Sequence, residues 1–404
     1  PMPIDATAER LARFLSEQKY VEVYGHRDAD GVTAASLVCH ALWRRGIGFR
    51  LRIVDGTPGP AGLGAENPAL LCDLGAGLTD LPENVAVIDH HAPVADGEGV
   101  VMNPHAAGYD GERVLSAAAL AFGVAGRLAD CRDLAGLAAA GVTGDGQAFE
   151  AENAEILNEG IANGVLEIER GIALPGGSIV EQLELATDPF LPGISGNAER
   201  VRELLRASMT DGGPAIDLLL SLAVLEAAGE AAPGALERIW GDRVLCPREA
   251  VGDVRSLAAV VDACAKDGRG GLAASVCLRS PVATREAVEV ASSHRRCVIE
   301  AIAAAIPLEE AAVAVRIQDS RLAGDVATAL AGPLGRPVMV AAPSGDGFRL
   351  SVRGDGSVPL GPLLRQLAAE AGGSGGGHAR KAGAIVPCEA FPAIAAAFAE
   401  AIGA

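Results

Sequence analysis

The chain alternates between short apolar runs and longer segments in which apolar residues recur at helical spacing. In the first 90 residues the runs predict strands at 21–26, near 49–54, and ending at Cys72 and Ile88. The periodic segments predict helices at 4–19, from about Gly31 to Arg45, at 112–128 and at 131–141. Strands and helices in alternation predict a doubly wound parallel sheet.

The pattern changes in the second part of the chain. Residues 152–235 are predicted to be mostly helical, with a break at Pro175-Gly176-Gly177. Predicted strands then lie at 272–278, 311–317, 337–342, 347–353 and 382–386, and helices at 253–266, 282–305, 320–331 and 359–371. We therefore expect an α/β protein with a parallel-sheet domain at 1–200, a helical connector at 201–240 and a smaller α/β domain at 241–404.

Length, charge and cysteine content narrow the class of protein. A chain of 404 residues is long enough for two or three domains with full cores. The formal net charge of −19 argues against capture of long nucleic acid strands, unless basic residues cluster locally or the substrate is small. Eight scattered cysteines without a C-x-x-C pair favour a reduced, cytoplasmic protein with buried thiols. Charges interrupt every long apolar stretch, so no membrane span is expected.

Five acidic and histidine clusters lie in order within the first 145 residues. They are His26-Arg27-Asp28-Ala29-Asp30-Gly31, Asp73, Asp89-His90-His91, Asn103-Pro104-His105 and Asp145. Three of them follow predicted strands, and the carboxyl ends of parallel strands meet at the edge where α/β proteins bind ligands. Asp28 and Asp30 alternate with Arg27 and Ala29, so in an extended segment both carboxylates share a face with His26. Because hard divalent ions need several oxygen and nitrogen ligands on a rigid frame, the pattern predicts a metal site.

Most of these clusters, taken singly, also have a structural explanation. Asp-Ala-Asp-Gly is favourable turn chemistry, and Asp73 or Asp145 alone could be a turn or cap residue. Asp89-His90-His91 is harder to explain by packing, because three adjacent ionisable residues rarely end a buried strand. The glycine run at 372–377 could be a flexible hairpin or a backbone nest that binds a phosphate.

The ordered set resembles the DHH phosphoesterase superfamily with its DHH-associated domain, and within it the RecJ-like single-strand exonuclease branch of archaeal type. The resemblance covers nearly the whole chain. It is carried by His26-x-Asp28-x-Asp30-Gly31, Asp73, Asp89-His90-His91, Gly144-Asp145 and Gly375-Gly376-Gly377-His378. Ser351-Val352-Arg353 is a weaker match. His26 lies two residues before Asp28, whereas the oligoribonuclease and pyrophosphatase branches place a histidine four residues before this aspartate, and this spacing favours the RecJ side.

The resemblance implies a site with two metal ions, Mn²⁺ or Mg²⁺. The implied ligands are His26, Asp28, Asp30, Asp73, His90 and Asp145, with Asp73 bridging the ions. His91 would contact the scissile phosphate, and Asp89 would orient a neighbouring imidazole, so these two residues are the implied catalytic pair. The implied substrate-binding residues are Gly375, Gly376, Gly377, His378 and Arg353.

The expected activity is that of a metal-dependent phosphodiesterase, a 5′-to-3′ exonuclease that degrades single-stranded DNA or RNA to mononucleotides in repair. The chain shows no pattern for the C-terminal OB-fold that bacterial RecJ proteins often carry. This missing pattern and the acidic net charge favour an alternative function. The protein would then be a small-substrate enzyme that acts on short oligonucleotides, cyclic dinucleotides or nucleoside 3′,5′-bisphosphates. A replication scaffold that binds replication or repair proteins is a third alternative, although every acidic position of the first domain is filled.

Overall fold

In a computed structural model of the protein, residues 4–59, 63–64, 66–94, 99–308 and 311–403 are described. Contacts divide the chain into two compact units, each built from two stretches. The first consists of Pro1–Arg170 and Asp242–Ala291, and the second of Gly171–Gly241 and Ser292–Ala404. The domain boundaries expected at residues 200 and 240 remain predictions.

Helices and strands are numbered in chain order. The helices are α1 Ile4–Ser16, α2 Ala29–Arg44, α3 Ala117–Leu128, α4 Ala135–Asp145, α5 Ala151–Ala162, α6 Ile179–Glu184, α7 Ala198–Ala207, α8 Ile216–Ala227, α9 Pro233–Leu236, α10 Val254–Lys266, α11 Gly270–Cys277, α12 Pro281–Ala303, α13 Ala323–Leu334, α14 Leu360–Glu370 and α15 Phe391–Ala401. The strands are β1 Tyr20–His26, β2 Gly48–Val54, β3 Ala69–Cys72, β4 Val85–Ile88, β5 Val100–Met102, β6 Glu167–Ile172, β7 Met209–Thr210, β8 Gly213–Pro214, β9 Trp240–Leu245, β10 Ile306–Leu308, β11 Ala311–Arg316, β12 Val338–Ser344, β13 Gly347–Arg353, β14 Ser374–Gly377 and β15 Lys381–Pro387. Among the described residues, no helix combines the length and apolar character needed to cross a bilayer.

The first unit holds a five-stranded sheet in the order β2-β1-β3-β4-β5, and all neighbouring strands are parallel. β3 and β4 are buried at every position, as expected for the near-continuous apolar runs of a covered parallel sheet. Because the strands are parallel, their carboxyl ends His26, Cys72 and Ile88 lie along one edge. The predicted parallel sheet is confirmed, and the polar residues that follow these strands are placed side by side.

Helix α2 is the central helix of this unit, and all of its residues from Ala29 to Leu42 are buried. Helix α4 approaches it so closely that a Cβ at Gly141 would collide with the side chains of Thr33 and Ala118. At the end of α4, a Cβ at Gly144 would collide with Ala29, the first residue of α2. Glycine at these positions lets the beginning of α2 and the end of α4 meet at the same edge of the sheet.

The second unit holds a six-stranded sheet in the order β10-β11-β12-β13-β15-β14. β11 and β12 are parallel, and the other pairs are antiparallel. Alternate residues of β13 and β15, such as Leu350, Val352 and Ala384, are buried in a core that includes α14 and α15. The strands predicted at 311–317, 337–342, 347–353 and 382–386 are all present.

One predicted strand is wrong. The apolar run at 272–278 predicts an extended segment, but Gly270–Cys277 form helix α11, with Ala273, Ala274, Val276 and Cys277 buried. A short apolar run has no periodicity that separates a strand from a buried helix, and the alanines and leucine of this run favour a helix.

An arginine network connects the two stretches of the first unit, Asp242–Ala291 and Pro1–Arg170. Arg279 donates to both carboxylate oxygens of Glu249, at 2.8 and 3.1 Å, and to Oδ2 and the carbonyl oxygen of Asp133, both at 2.8 Å. Asp133 also accepts two hydrogen bonds from Arg44, at 2.7 and 2.9 Å. The Glu249 side chain is only 1% exposed, so its charge depends on Arg279 for compensation.

Replacing Arg279 by Met is therefore expected to destabilise the protein, by roughly 2–4 kcal/mol, because it leaves a buried carboxylate unpaired. The matched control is Arg132→Met, which breaks a pair with Asp130 whose side chains are 60% and 67% exposed. We expect that change to leave the free energy of unfolding almost unchanged, because solvent screens an exposed ion pair. Urea unfolding of both variants measures the difference, and equal free energies of unfolding would contradict the structural role of the network.

Candidate metal centre

The first half of the centre lies where β1 passes into α2. Asp28 is the N-cap of α2, and its Oδ1 accepts a hydrogen bond from the Gly31 amide at 2.8 Å. Nδ1 of His26, the last residue of β1, is 2.7 Å from Oδ2 of Asp28 and 3.1 Å from Oδ2 of Asp73. One nitrogen and two carboxylates therefore converge directly beyond the edge of the sheet.

Asp73 is the residue that joins the two halves of the centre. It follows β3 with φ of 59°, a left-handed conformation that aspartate tolerates better than most residues. Its side chain is 2% exposed, with Oδ1 3.3 Å from Nε2 of His90 and 3.5 Å from Nδ1 of His91. Within the described part of the chain, this buried Oδ1 has no hydrogen-bond partner.

Among the residues that the structure describes, two groups of three side chains could each hold a metal ion, and both contain Asp73. They are His26, Asp28 and Asp73, and Asp73, His90 and His91, with ligand atoms within 4.8 Å of one another in each group. A buried carboxylate oxygen without a hydrogen-bond partner is costly, and a bound cation would compensate it. Carboxylate donors suit Mn²⁺ and Mg²⁺, and imidazole is a common ligand of transition-metal ions, so the residues present fit a divalent ion.

His90 is held in a defined orientation by a backbone carbonyl. Its Nδ1 donates to the Gly111 oxygen at 2.8 Å, so in the neutral ring Nε2 is the unprotonated nitrogen. That Nε2 faces Oδ1 of Asp73 at 3.3 Å and Oδ2 of Asp30 at 3.8 Å. A hydrogen bond from the distal ring nitrogen is the usual way in which proteins orient a metal-binding histidine.

Asp30 and Asp145 flank this histidine without belonging to either group of three. The two oxygens of buried Asp30 accept from the amides of Ala117 and Ala118, at 2.7 and 2.9 Å, at the start of α3. Oδ2 of Asp145 lies 3.9 Å from Nδ1 of His90. The predicted ligand positions therefore all lie around Asp73 and His90, while the ligand role of each residue stays a prediction.

Asp89 and His91 form a separate contact at the rim. Nδ1 of His91 donates to Oδ1 of Asp89 at 2.8 Å, and Oδ2 of Asp89 accepts from the Ala76 amide at 2.7 Å. Burial would raise the pKa of Asp89, but the contact with His91 holds it below its ordinary value. The His91 side chain is 39% exposed, so a charged substrate group can reach this ring more easily than the buried His90.

Residues that sequence reasoning did not single out lie beneath the centre. The carbonyl of Gly111 accepts from both His90 and Gln147, and a Cβ at position 111 would collide with the carbonyl oxygen of His90. Asn103, which belongs to one of the five clusters but has no predicted role, donates to the His91 carbonyl at 2.9 Å. Gln147 stands two residues after Asp145, and this proximity to a predicted ligand is the only sequence signal that could have drawn attention to it.

Protons occupy the centre when no metal is bound. Burial and the neighbouring Asp73 raise the pKa of Asp30 to about 8. Burial alone would lower the pKa of His26, but Asp28 and Asp73 raise it to about 11. Burial also opposes the charge of His90, yet contact with Asp73 raises its pKa well above the ordinary value. Because metal ligands must be deprotonated, an ion that binds here must displace these protons.

We therefore expect metal affinity to rise with pH and metal binding to release protons. As pH rises towards the Asp30 pKa of about 8, a growing share of this carboxyl is already ionised and fewer protons have to be displaced. As pH falls, protonated Asp30 and histidines compete with the ion and affinity decreases. Calorimetric titration of Mn²⁺ in buffers of different ionisation enthalpy measures the protons released, and an affinity that is constant between about pH 6 and 8 would contradict the expectation.

The predicted substrate residues lie in the second unit. Ser374–Gly377 form the edge strand β14, paired with β15, so the glycine run is an ordered strand. The amide of His378 donates to the carbonyl of Lys381 at 2.7 Å and closes the hairpin. Arg353 ends β13, where Nε donates to Oγ1 of Thr328 at 3.2 Å and Nη1 to the Val352 carbonyl at 2.9 Å.

Two of three neighbouring cross-strand rows line a shallow cavity on the face of β13, β15 and β14 opposite their buried side chains. The middle row is Ser351, Gly383 and Gly376, and the other lining row is Arg349, Ile385 and Ser374. Arg353 and Lys381 form the third row, which lies outside the lining. The cavity has a volume of about 390 Å³. We call it the glycine trough, because the middle row leaves a floor almost without side chains.

The charge of the chain is unevenly distributed. Residues 311–404 carry eight basic and seven acidic side chains, a net charge of +1, so the other residues account for −20 of the total of −19. Arg349 has an exposed side chain with no hydrogen bond or ion pair to any described residue, and it lines the trough. Residues 311–404 of the second unit are therefore nearly neutral, although the whole chain is acidic.

Comparison with known proteins identifies one domain of the chain and its overall fold. Residues 311–404 match the DHHA1 domain. An uncharacterized protein of Methanocaldococcus jannaschii is 24% identical over 399 residues, which cover 93% of this chain and 91% of that protein. RecJ of Thermus thermophilus in complex with Mn²⁺ has a similar structure, with a TM-score of 0.61 and 20% identity over 98% of this chain. CDC45 from Entamoeba histolytica has a TM-score of 0.64 and 12% identity, over 99% of each chain.

This chain spans 54% of the length of the RecJ chain that it matches. The same RecJ has also been solved with Mg²⁺, so a protein of this fold is known with each of the two ions considered for the acidic and histidine groups described above. The chain therefore shares its fold with RecJ, with a parallel sheet in one unit and a mixed sheet in the other. Residues 311–404 match the DHHA1 family, and the chain as a whole has a RecJ-like fold.

Proposed function

We propose that the protein is a two-metal phosphodiesterase that acts as a RecJ-like 5′-to-3′ exonuclease on single-stranded nucleic acid and releases mononucleotides. The observation that carries the proposal is Asp73, whose buried Oδ1 has no hydrogen-bond partner among the described residues and which belongs to both groups of candidate ligands. His26 and Asp28 would hold one ion, His90, Asp30 and Asp145 the other, and Asp73 would bridge them. Two divalent ions, when bound, would lower the pKa of a water molecule and stabilise the attacking and leaving oxygens of an in-line displacement.

The remaining residues of the centre would bind and orient the substrate. His91 is held by Asp89 through Nδ1, so its ring is oriented while its exposed position lets it donate to a phosphate oxygen. Asp89 is itself fixed by the amides of Ala76 and His91, so it acts as a rigid acceptor. This arrangement supports the proposed catalytic pair of His91 and Asp89.

The glycine trough supports nucleic acid as the substrate class. Its floor of Gly376 and Gly383 allows a sugar-phosphate chain to approach the backbone, while Arg349 supplies a positive charge in its lining. Arg353 and Lys381, in the neighbouring cross-strand row, would extend the binding surface. His378 and Gly375 to Gly377, at the end of the same hairpin, would contribute to the same binding surface. Residues 311–404 have a net charge of +1, so the net charge of −19 comes from the rest of the chain and need not prevent nucleic acid from binding here.

The proposal is tested by Mn²⁺-dependent cleavage of 5′- and 3′-labelled single strands, as DNA and RNA, from dinucleotides to about thirty nucleotides. Stepwise loss of mononucleotides from the 5′ end of long strands is the expected result. The double variant Asp89→Ala, His90→Ala should abolish it, and full activity of this variant would overturn the site assignment. Cleavage confined to the shortest substrates would support a small-substrate enzyme instead, and no cleavage with any divalent ion would support a scaffold.

Replacing one arginine, Arg349, tests nucleic acid binding by the trough separately from catalysis. We expect Arg349→Gln to weaken binding of single strands and to reduce the slope of log affinity against log salt by about 0.7, the contribution of one phosphate contact. The control is Arg336→Gln, which removes the same charge from an exposed position outside the trough. Fluorescence anisotropy with Ca²⁺ in place of Mn²⁺ measures binding without turnover, and equal salt slopes for the two variants would exclude Arg349 from the binding surface.

A further inference from the structure

Gln147 lies beside the centre because of how helix α4 ends. The helix stops at Asp145, Gly146 adopts φ of 75°, and the amide of Gln147 returns to the carbonyl of Val142 at 3.1 Å. This glycine-terminated helix end folds the chain back on itself. The side chains of Asp145 and Gln147 consequently meet, with Nε2 of Gln147 donating to Oδ2 of Asp145 at 2.9 Å.

The same amide group also contacts the histidine side of the centre. Nε2 of Gln147 donates to the Gly111 carbonyl at 2.8 Å, which is the oxygen that accepts from Nδ1 of His90. Both hydrogens of this nitrogen are therefore used, one on Asp145 and one on the carbonyl that orients His90. Gln147 is 8% exposed, so water is largely excluded as a competitor for these contacts.

Asn153 determines which way the Gln147 amide points. Its Nδ2 donates to Oε1 of Gln147 at 2.8 Å, and a reversed Gln147 amide would place its oxygen against the acceptors of Gly111 and Asp145. Asn153 is fully buried, and within the described part of the chain its own Oδ1 has no hydrogen-bond partner. A buried acceptor left without a partner carries a desolvation cost, which a residue serving only to pack would not need.

We propose that Gln147, oriented by Asn153, is a positioning residue that holds the Asp145 carboxylate and the His90 ring for one of the two metal ions. The inference rests on the proposed function, because it assigns these residues to the metal centre postulated there. Neither residue contacts the ion in this role. Gln147 acts through its hydrogen bonds to Asp145 and to the Gly111 carbonyl that orients His90, as partners of metal ligands commonly do. Asn153 acts through its hydrogen bond to Gln147.

The test is Mn²⁺ binding to the full chain, measured by calorimetry and by electron paramagnetic resonance. Gln147→Met keeps the shape of the side chain but removes both donors, and we expect it to weaken one Mn²⁺ site about 10- to 100-fold while leaving the other unchanged. The matched control is Gln182→Met, which alters another buried glutamine, with one hydrogen bond to the Leu174 carbonyl, in the second unit. This control should bind both ions as the wild type does.

In activity assays Gln147→Met should lower kcat more than it changes KM.

A second variant keeps the inference testable if Gln147→Met folds poorly by circular dichroism. Asn153→Asp preserves size but replaces the donor by an acceptor, so the Gln147 amide should turn and the same Mn²⁺ site should weaken. Wild-type binding at both sites in folded Gln147→Met, or in Asn153→Asp, would overturn the proposal. A wild-type protein that binds no Mn²⁺ would overturn the proposed function and this inference with it, whereas two sites insensitive to both variants would overturn this inference alone.

Discussion

Asp73→Asn is expected to abolish phosphodiesterase activity, with a loss of at least about 10³-fold, because it replaces the carboxylate shared by both metal groups. The change is isosteric, and asparagine tolerates the left-handed backbone that Asp73 adopts with φ of 59°. The neutral amide, however, has one oxygen in place of two and carries no charge to offset two divalent ions. Loss of activity should therefore come without loss of fold.

Three measurements separate the outcomes for Asp73→Asn: activity on labelled single strands, Mn²⁺ stoichiometry and the thermal midpoint without metal. Asp80→Asn is the control, since Asp80 is exposed and outside both candidate groups. We expect that control to retain wild-type activity and stoichiometry. Asp73→Asn with near-normal activity would remove the bridging role, and with it the main support for the two-metal proposal.

Asp30→Ala is expected to lower the stability of the metal-free protein as well as its metal affinity. Both carboxylate oxygens accept from buried backbone amides, those of Ala117 and Ala118 at the start of α3. Removing the carboxylate leaves two amides without partners, at a cost of roughly 1–3 kcal/mol each. Relief of the repulsion between Asp30 and Asp73, which contributes to the raised pKa of Asp30, offsets part of this loss.

The informative comparison is with Asp28→Asn. Asp28 caps α2 through a single hydrogen bond from the Gly31 amide, and asparagine is nearly as good an N-cap. In urea unfolding with a metal chelator present, Asp30→Ala should therefore lose more than about 1 kcal/mol through its two amides. Asp28→Asn keeps the cap of α2, so any loss of stability in that variant should come from the ion pair with His26. If both variants have the same urea midpoint as the wild type, the hydrogen bonds between Asp30 and the start of α3 contribute nothing to stability.

Features that depend on residues close together in the sequence could be predicted, whereas contacts between distant residues could not. The buried runs Ala69–Cys72 and Val85–Ile88 are recognisable because a covered parallel strand is apolar at every position. Motif order along the chain was enough to suggest the family resemblance, since Asp28, Asp73 and His90 each come shortly after a strand of the parallel sheet. Helix α11 was missed because a short apolar run is compatible with either secondary structure.

The sequence by itself thus determined the parallel sheet of the first unit, the family resemblance and the set of ionisable residues at the strand ends, because these depend on periodicity and on residue type at short range. Only the tertiary structure decided which atoms meet. The Gly111 carbonyl reaches His90 across 21 positions and Gln147 across 36, and Asp30 meets α3 across 87 and 88 positions. Such contacts depend on how helices and loops pack around the sheet. A backbone carbonyl or a lone glutamine leaves no pattern in the sequence, because its role comes from the neighbours that folding brings to it.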